Sequence, residues 1–267
     1  MNIDLFSNYF PSARSAAAIG ASCLTLGACL TLGSSPAVAS VLFSDSTFAL
    51  SNYSVVANPN DTESFTYQQC ASCGDPGQAL SITQAYNGTG PTMSGGALFL
   101  NNTFNYDPAT QGAIGSIAVS VNKLLAINYA GTFTSTFKLV IQQGGNDYVD
   151  SISAPSLTFG AGGGSSGWTS IAATGLVASN FTLFNPATFT SGTGNPNFGG
   201  GAMTFGLLSL GTWSGVSSTT SISVAFDNLA IDINPVPEPA SLGLFGFGLG
   251  ALAWLRRRAG GRVVLAA

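Results

Sequence analysis

The sequence contains no histidine, and only 7% of its 267 residues are charged. Without histidine there is no Ser-His-Asp or Cys-His arrangement and no imidazole-ligated metal centre. Basic residues are scarcest in the middle: between Arg14 and Arg256 only Lys123 and Lys138 occur. Residues 41–234 set nine acids (Asp45, Asp61, Glu63, Asp75, Asp107, Asp147, Asp150, Asp227 and Asp232) against those two lysines, a balance of −7. Nucleic-acid binding needs clustered Lys/Arg to neutralise phosphates, so that class of partner is excluded. The Glu and Lys that build solvent-facing helices are nearly absent, while glycine numbers 34. Glycine is costly inside helices, so long helices are not expected in the body of the chain.

What the body does have is alternation. "GSIAVSV" puts Ile117, Val119 and Val121 on one face, and "FTSTFKLVIQQ" does the same for Phe133, Phe137, Leu139 and Ile141. "TFALSNYSVVA" alternates loosely from Phe48 to Val55. In "SISVAFDNLAIDI" the apolar set runs Ile222, Val224, Phe226 and then Leu229, Ile231, Ile233. The parity changes at Asp227-Asn228, where a β-bulge would return the second set to the first set's face. "NGTGPTMSGG", "QQGGND", "GAGGGSSG" and "SGTGNPNFGGG" read as turns between strands. Roughly ten short strands are expected, forming an all-β, jelly-roll-like β-sandwich over residues 40–234.

The two ends differ from this body. Residues 1–39 read as a signal peptide: Arg14 precedes an uncharged small-residue run from Ser15 to Gly33, then Pro36 and Ala37-Val38-Ala39. The expected cut lies between Ala39 and Ser40. "LGAC" offers an alternative, lipidation at Cys29, but the apolar run continues past it. At the other end, residues 235–262 hold Pro237-Glu238-Pro239, an uncharged run from Ala240 to Leu255, and Arg256-Arg257-Arg258. The two prolines deny the segment regular structure and leave Glu238 displayed on extended chain. The run of sixteen residues would reach ~24 Å as a helix, short of a hydrocarbon core of ~30 Å but extendable by snorkelling arginines. The arginines would stay cytoplasmic and leave the body outside, with a single membrane helix as anchor.

This order of motif, apolar helix and basic cluster resembles the PEP-CTERM sorting signal. The resemblance covers Val236 to Arg258, and the tail Ala259–Ala267 is longer than usual for such tags. It implies an exosortase-type processing enzyme as partner and an inner-membrane stage before processing. It also implies export by a Gram-negative bacterium to the cell surface or an exopolysaccharide matrix.

Of the four cysteines, Cys23 and Cys29 would leave with the signal, and Cys70 and Cys73 remain. After export a local disulfide is expected, its stabilisation small because the closed loop is short. No catalytic residues are assigned. The acid pairs Asp61/Glu63, Asp147/Asp150 and Asp227/Asp232 are the candidates for two-carboxylate glycoside chemistry, and each reads better as loop solvation. No cofactor is expected, although Asp147, Asp150 and Asp227 with backbone carbonyls could hold a structural calcium. Trp168 and Trp213 could stack on sugar rings or simply pack in the sandwich. The expectation is an exported, non-catalytic protein with a structural or adhesive role, with a carbohydrate-binding module as the alternative.

Overall fold

The computed structural model describes residues 39–58, 64–86, 92–127, 132–150, 157–159, 164–214, 220–237, 248–250 and 252. The chain divides into one unit of Val38–Val236 and another comprising Met1–Ala37 and Pro237–Ala267. The signal segment before Ala39, together with Glu238, Pro239, Arg256, Arg257 and Arg258, lies outside the described residues. So do Asp61 and Glu63. In the unit that holds the two ends, a short helical stretch at 248–250 and 252 is described. No helix among the described residues is long and apolar enough to cross a membrane.

Alternating apolar residues build two antiparallel sheets in the unit Val38–Val236. One contains β1 (Val41–Asp45), β3 (Ser64–Gly74), β4 (Gly77–Tyr86), β6 (Ile114–Ile127), β10 (Gly164–Ser165), β11 (Thr169–Leu176) and β15 (Thr220–Pro235). The other contains β2 (Tyr53–Asn58), β5 (Thr92–Tyr106), β7 (Thr132–Gln143), β8 (Asn146–Asp150), β9 (Leu157–Phe159), β12 (Phe181–Asn185), β13 (Thr190–Ser191) and β14 (Met203–Ser214). In the first sheet β4, β15, β6 and β11 lie side by side, and in the second β5, β14, β7 and β8 do. The inward positions of both sheets form one core that includes Ile117, Val121 and Phe226 from one side and Phe99, Phe137 and Leu207 from the other. Burying each such side chain contributes roughly 1.5–3 kcal/mol. A smaller cluster, Leu98, Leu100, Val140, Val149, Phe184 and Leu208, covers the opposite face of the second sheet.

The body has more strand than the sequence suggests. β5, β6 and β15 run 15, 14 and 16 residues. Ser94, Gly95 and Gly96, expected in a turn, lie inside β5. Gly96 is there because Phe189 crosses that face: a Cβ on Gly96 would stand 2.5 Å from the Phe189 ring. Long strands keep their apolar positions inward by slipping register, at Thr204/Gly206 in β14 and at Asp227/Ala230 in β15.

The stretch from Phe48 to Val55 is not one strand. A 3-10 turn at Leu50–Asn52 interrupts it. The cause is Asp45, whose carboxylate accepts hydrogen bonds from Thr47 N (2.8 Å), Thr47 Oγ1 (3.0 Å) and Phe48 N (2.8 Å) and so folds the chain back after β1. Its other oxygen accepts from the Tyr53 hydroxyl at 2.8 Å. Burial, and then the Asp45 charge, push the Tyr53 phenol well above its ordinary range, so it stays a donor. Tyr53→Phe should therefore lower unfolding free energy by about 1–2 kcal/mol, the cost of leaving a buried carboxylate oxygen short of a donor. Urea titration of the two proteins measures it; equal midpoints would show the bond contributes nothing.

Candidate functional site

Two places in the sandwich have the geometry of a site. The first is the end of β15. This strand is hydrogen-bonded to β6 along most of its length, and its other edge is shared. Thr220–Phe226 pair with β4, and Leu229–Ile233 pair with β1. The change of neighbour falls at Asp227-Asn228, where the register also slips. Asp227 is fully buried there. Its carboxylate accepts from Asp75 N at 2.6 Å and from Asn228 N at 2.7 Å, while Asn228 Nδ2 donates to Asp75 O at 2.9 Å. Asn228 takes a left-handed backbone (φ 52), which asparagine tolerates. A Cβ on Gly74 would stand 2.8 Å from Asp227 Oδ2, so only glycine lets the β3–β4 turn come this close.

Beyond the bulge β15 stays in the sheet to its last residue. Pro235 still lies opposite Ile114, and Val236 N donates to Ala113 O at 2.7 Å. Ile114 N in turn donates to Phe198 O at 2.9 Å. Val236 and Pro237 follow the strand with exposed side chains. Val41 is the cross-strand partner of Ile233, so Ser40 and Ala39, both exposed, leave the sandwich at the same pole as Val236.

The second place is a groove of about 380 Å³ between the β7–β8 turn and the β12–β13 hairpin. Gly145, Asn146 and Asp147 form one wall, and Leu183, Phe184, Asn185, Pro186, Thr190, Ser191 and Gly192 the rest. The hairpin is held by Gly192 N donating to Leu183 O (2.7 Å) and Leu183 N donating to Gly194 O (3.0 Å). Phe184 packs edge-on against Phe189, with ring centroids 5.4 Å apart. Gln142 Nε2 donates to Asp147 Oδ1 at 3.0 Å. Burial raises the Asp147 carboxyl above its usual range, and the Gln142 bond works against that. One carboxylate, two carboxamides and two hydroxyls above an apolar floor suit a neutral ligand rich in hydroxyl groups.

Of the acids paired by sequence spacing, the two described pairs do not converge. Asp147 and Asp150 are three apart on β8 and therefore take opposite faces. Asp227 lies in the other sheet, bound to the β3–β4 turn, and Asp232 lies five residues on, opposite Leu42 and Ala118. Asp147, Asp150 and Asp227 thus cannot share one cation, and among the described residues no three acids or cysteines cluster as metal ligands. Trp168 is half-buried just before β11, whereas Trp213 is in β14 of the other sheet, so the two do not form one strip. Cys70 and Cys73 are bonded to each other. They close the point in the β3–β4 hairpin where four residue steps, Cys70 to Gly74, face two, Ala79 to Gly77.

Sequence reasoning missed the burial of two charges, leaving Lys123 aside and reading Asp150 as loop solvation. Lys123 is fully buried on the inward face of β6, and its ammonium donates to Ser135 O on the opposite sheet. Burial alone lowers its pKa to about 7. Asp150 is 1% exposed, and its Oδ1 has no partner among the described residues. Burial raises its pKa to about 7 against the pull of Lys138 and the Leu139 backbone. Continuing the alternation Ile117-Val119-Val121 by one step would have placed Lys123 inside.

Residues 235–258 match the family described as the PEP-CTERM protein-sorting motif. No curated protein matches the chain in sequence. Among solved structures the sandwich is similar to the C-terminal family 22 carbohydrate-binding module of Clostridium thermocellum Xyn10B, at 10% identity over 72% of this chain and 93% of that one, with a TM-score of 0.33. It is similar to much the same degree to the CBM22-1 xylan-binding domain of Paenibacillus barcinonensis Xyn10C (10% identity, 76% and 97% covered, TM-score 0.30). A third likeness is to Caldicellulosiruptor saccharolyticus CBM27-1 in complex with mannohexaose (11% identity, 72% and 96% covered, TM-score 0.30). These likenesses are too weak to assign a ligand.

Proposed function

We propose that this chain, which carries a PEP-CTERM protein-sorting motif at residues 235–258, is exported and sorted to the cell surface or an extracellular polysaccharide matrix, where its sandwich acts as a non-catalytic structural or adhesive body. The observation that carries this reading is the motif itself, which begins at the last residue of β15 in the β-sandwich. The strand order supports it: β4-β15-β6-β11 against β5-β14-β7-β8 is the order of an eight-stranded jelly roll, a scaffold of binding and surface proteins. In this reading a signal peptidase cuts after Ala39, and the Ala240–Leu255 segment docks in the inner membrane with Arg256, Arg257 and Arg258 as its stop. An exosortase-type enzyme then acts near Pro237-Glu238-Pro239. The dispersal of Asp147, Asp150, Asp227 and Asp232 among the described residues supports a body without hydrolytic chemistry, since glycoside cleavage needs two carboxyl groups flanking one bond.

Intact mass of the mature protein tests both ends at once. The expected product begins at Ser40 and lacks Arg256–Arg258, and Glu238→Ala should leave the full-length C-terminus in place. A mature protein that keeps its arginines, with Glu238→Ala changing nothing, would refute the sorting role.

The groove beside Asp147 favours a second reading, in which the sandwich holds a neutral glycan. Asp147→Ala in the secreted protein should then weaken retention on the polysaccharide by about ten-fold, the loss of one charge-assisted hydrogen bond of ~1.4 kcal/mol or more. Affinity electrophoresis in gels cast with the host's own polysaccharide reads this directly. Unchanged mobility of both proteins with and without polysaccharide would remove the reading.

A further inference from the structure

We infer that the pole of the sandwich around Ala113 is part of the footprint of the enzyme that processes the tag, an inference that rests on the sorting reading above. Reach is the reason. Val236 is bonded to Ala113 O, and Pro235 is still within β15. Glu238 is two residues further on, so it lies no more than ~7 Å of extended chain from the last anchored residue. A peptide-binding cleft that grips a few residues on each side of Glu238, at ~3.3 Å per residue, must therefore include residues that belong to the sheet. No spacer separates the motif from the folded body, because Pro235 lies within both the matched motif and the strand.

The alternative is that the enzyme peels the end of β15 away. That end is held on both edges, by β6 through Asn234 and Pro235 and by β1 through Ile233, with the Val236 bond added. Opening it would leave the buried Ile231 and Ile233 facing water. Docking against the intact pole avoids that cost. The pole offers the exposed Ala109 and Thr110 of the single-turn helix Pro108–Gln111, the exposed Ala113, and Gly199, whose added Cβ would come 3.8 Å from that of Ala113. The occupant is thus the enzyme that acts on the tag, approaching along the exit of the chain, not a partner of the sheet faces.

The test uses the full-length chain in a host that processes the tag, with the fraction of trimmed C-terminus read by mass spectrometry. Ala109→Glu, Thr110→Arg and Ala113→Arg place bulk and charge on the pole without touching the motif. Each should slow processing about ten-fold at the native spacing, the effect of ~1.4 kcal/mol lost from an interface. A flexible Gly/Ser insert of about eight residues between Val236 and Pro237 should restore the rate by moving the motif clear of the pole. Processing of all three variants at the unaltered rate would overturn the inference. So would a loss that the insert does not relieve, because that reports damaged folding or export. Glu238→Ala separates the two levels: if it too is processed normally, the sorting reading itself fails and the footprint with it.

Discussion

Thermal unfolding measured from pH 4 to pH 10 should trace a trough, with its lowest midpoint near neutrality. Most domains behave in the opposite way, being most stable between about pH 5 and 8. Two buried charges produce the inversion. Asp150 has a folded pKa near 7 against 3.8 when unfolded. Between those values the folded chain holds the proton more tightly, so stability falls as pH rises. Lys123 has a folded pKa near 7 against 10.5 when unfolded. Between those values the unfolded chain holds the extra proton, so stability rises with pH. Each limb amounts to at most ~4–5 kcal/mol, at about 1.36 kcal/mol for every pH unit separating the folded and unfolded pKa. Asp150→Asn should flatten the acid limb and Lys123→Met the alkaline one, and each should raise the midpoint at pH 7. Methionine suits the second position because it keeps most of the side chain's length and removes the ammonium. A dome-shaped profile, or an alkaline limb unchanged in Lys123→Met, would show that water reaches these groups.

The second large effect is expected at Asp227. Its replacement by alanine removes the acceptor of two backbone N–H groups, those of Asp75 and Asn228. Hydrogen bonds to a charged group contribute about 1.5–3 kcal/mol each, and these two are part-buried, so Asp227→Ala should lose about 3–5 kcal/mol. The loss should be local as well as global. The β3–β4 turn hangs on this carboxylate, so limited proteolysis should open the chain near Gly74–Gly77 before the sandwich unfolds. Asp227→Asn keeps an acceptor and should lose less. Urea midpoints of the three proteins decide; a fall of under about 1 kcal/mol in Asp227→Ala would mean that the turn finds other acceptors.

The parity change at Asp227-Asn228 located the bulge from sequence alone, because six apolar residues had to reach one core. The same arithmetic, carried one step past Val121, would have placed Lys123 inside, but the general preference of lysine for water points the other way. The core won because Ser135, Ser209 and Gly211 are small residues facing that part of the interior. Gly96 in β5 read as part of a turn because its reason, the Phe189 ring, comes from a segment more than ninety positions later. The groove was not legible for a similar cause. Its walls meet only through the pairing of β8 with β12, and no local pattern records that register. The pairing of β1 with β15, the first strand with the last, is hidden in the same way.

That last pairing determines how the protein bears mechanical load. A pull on Ser40 away from Val236 separates β1 from β15 end-on, and the rungs between Val41 and Asp45 break one after another at low force. A pull on the tag against a body held elsewhere drags β15 lengthwise past β4, β6 and β1 together, so its hydrogen bonds must yield at once. An anchor attached after Val236 is therefore gripped in shear, the resistant direction, and β4 and β6 keep that grip when the amino end of the sandwich is unzipped.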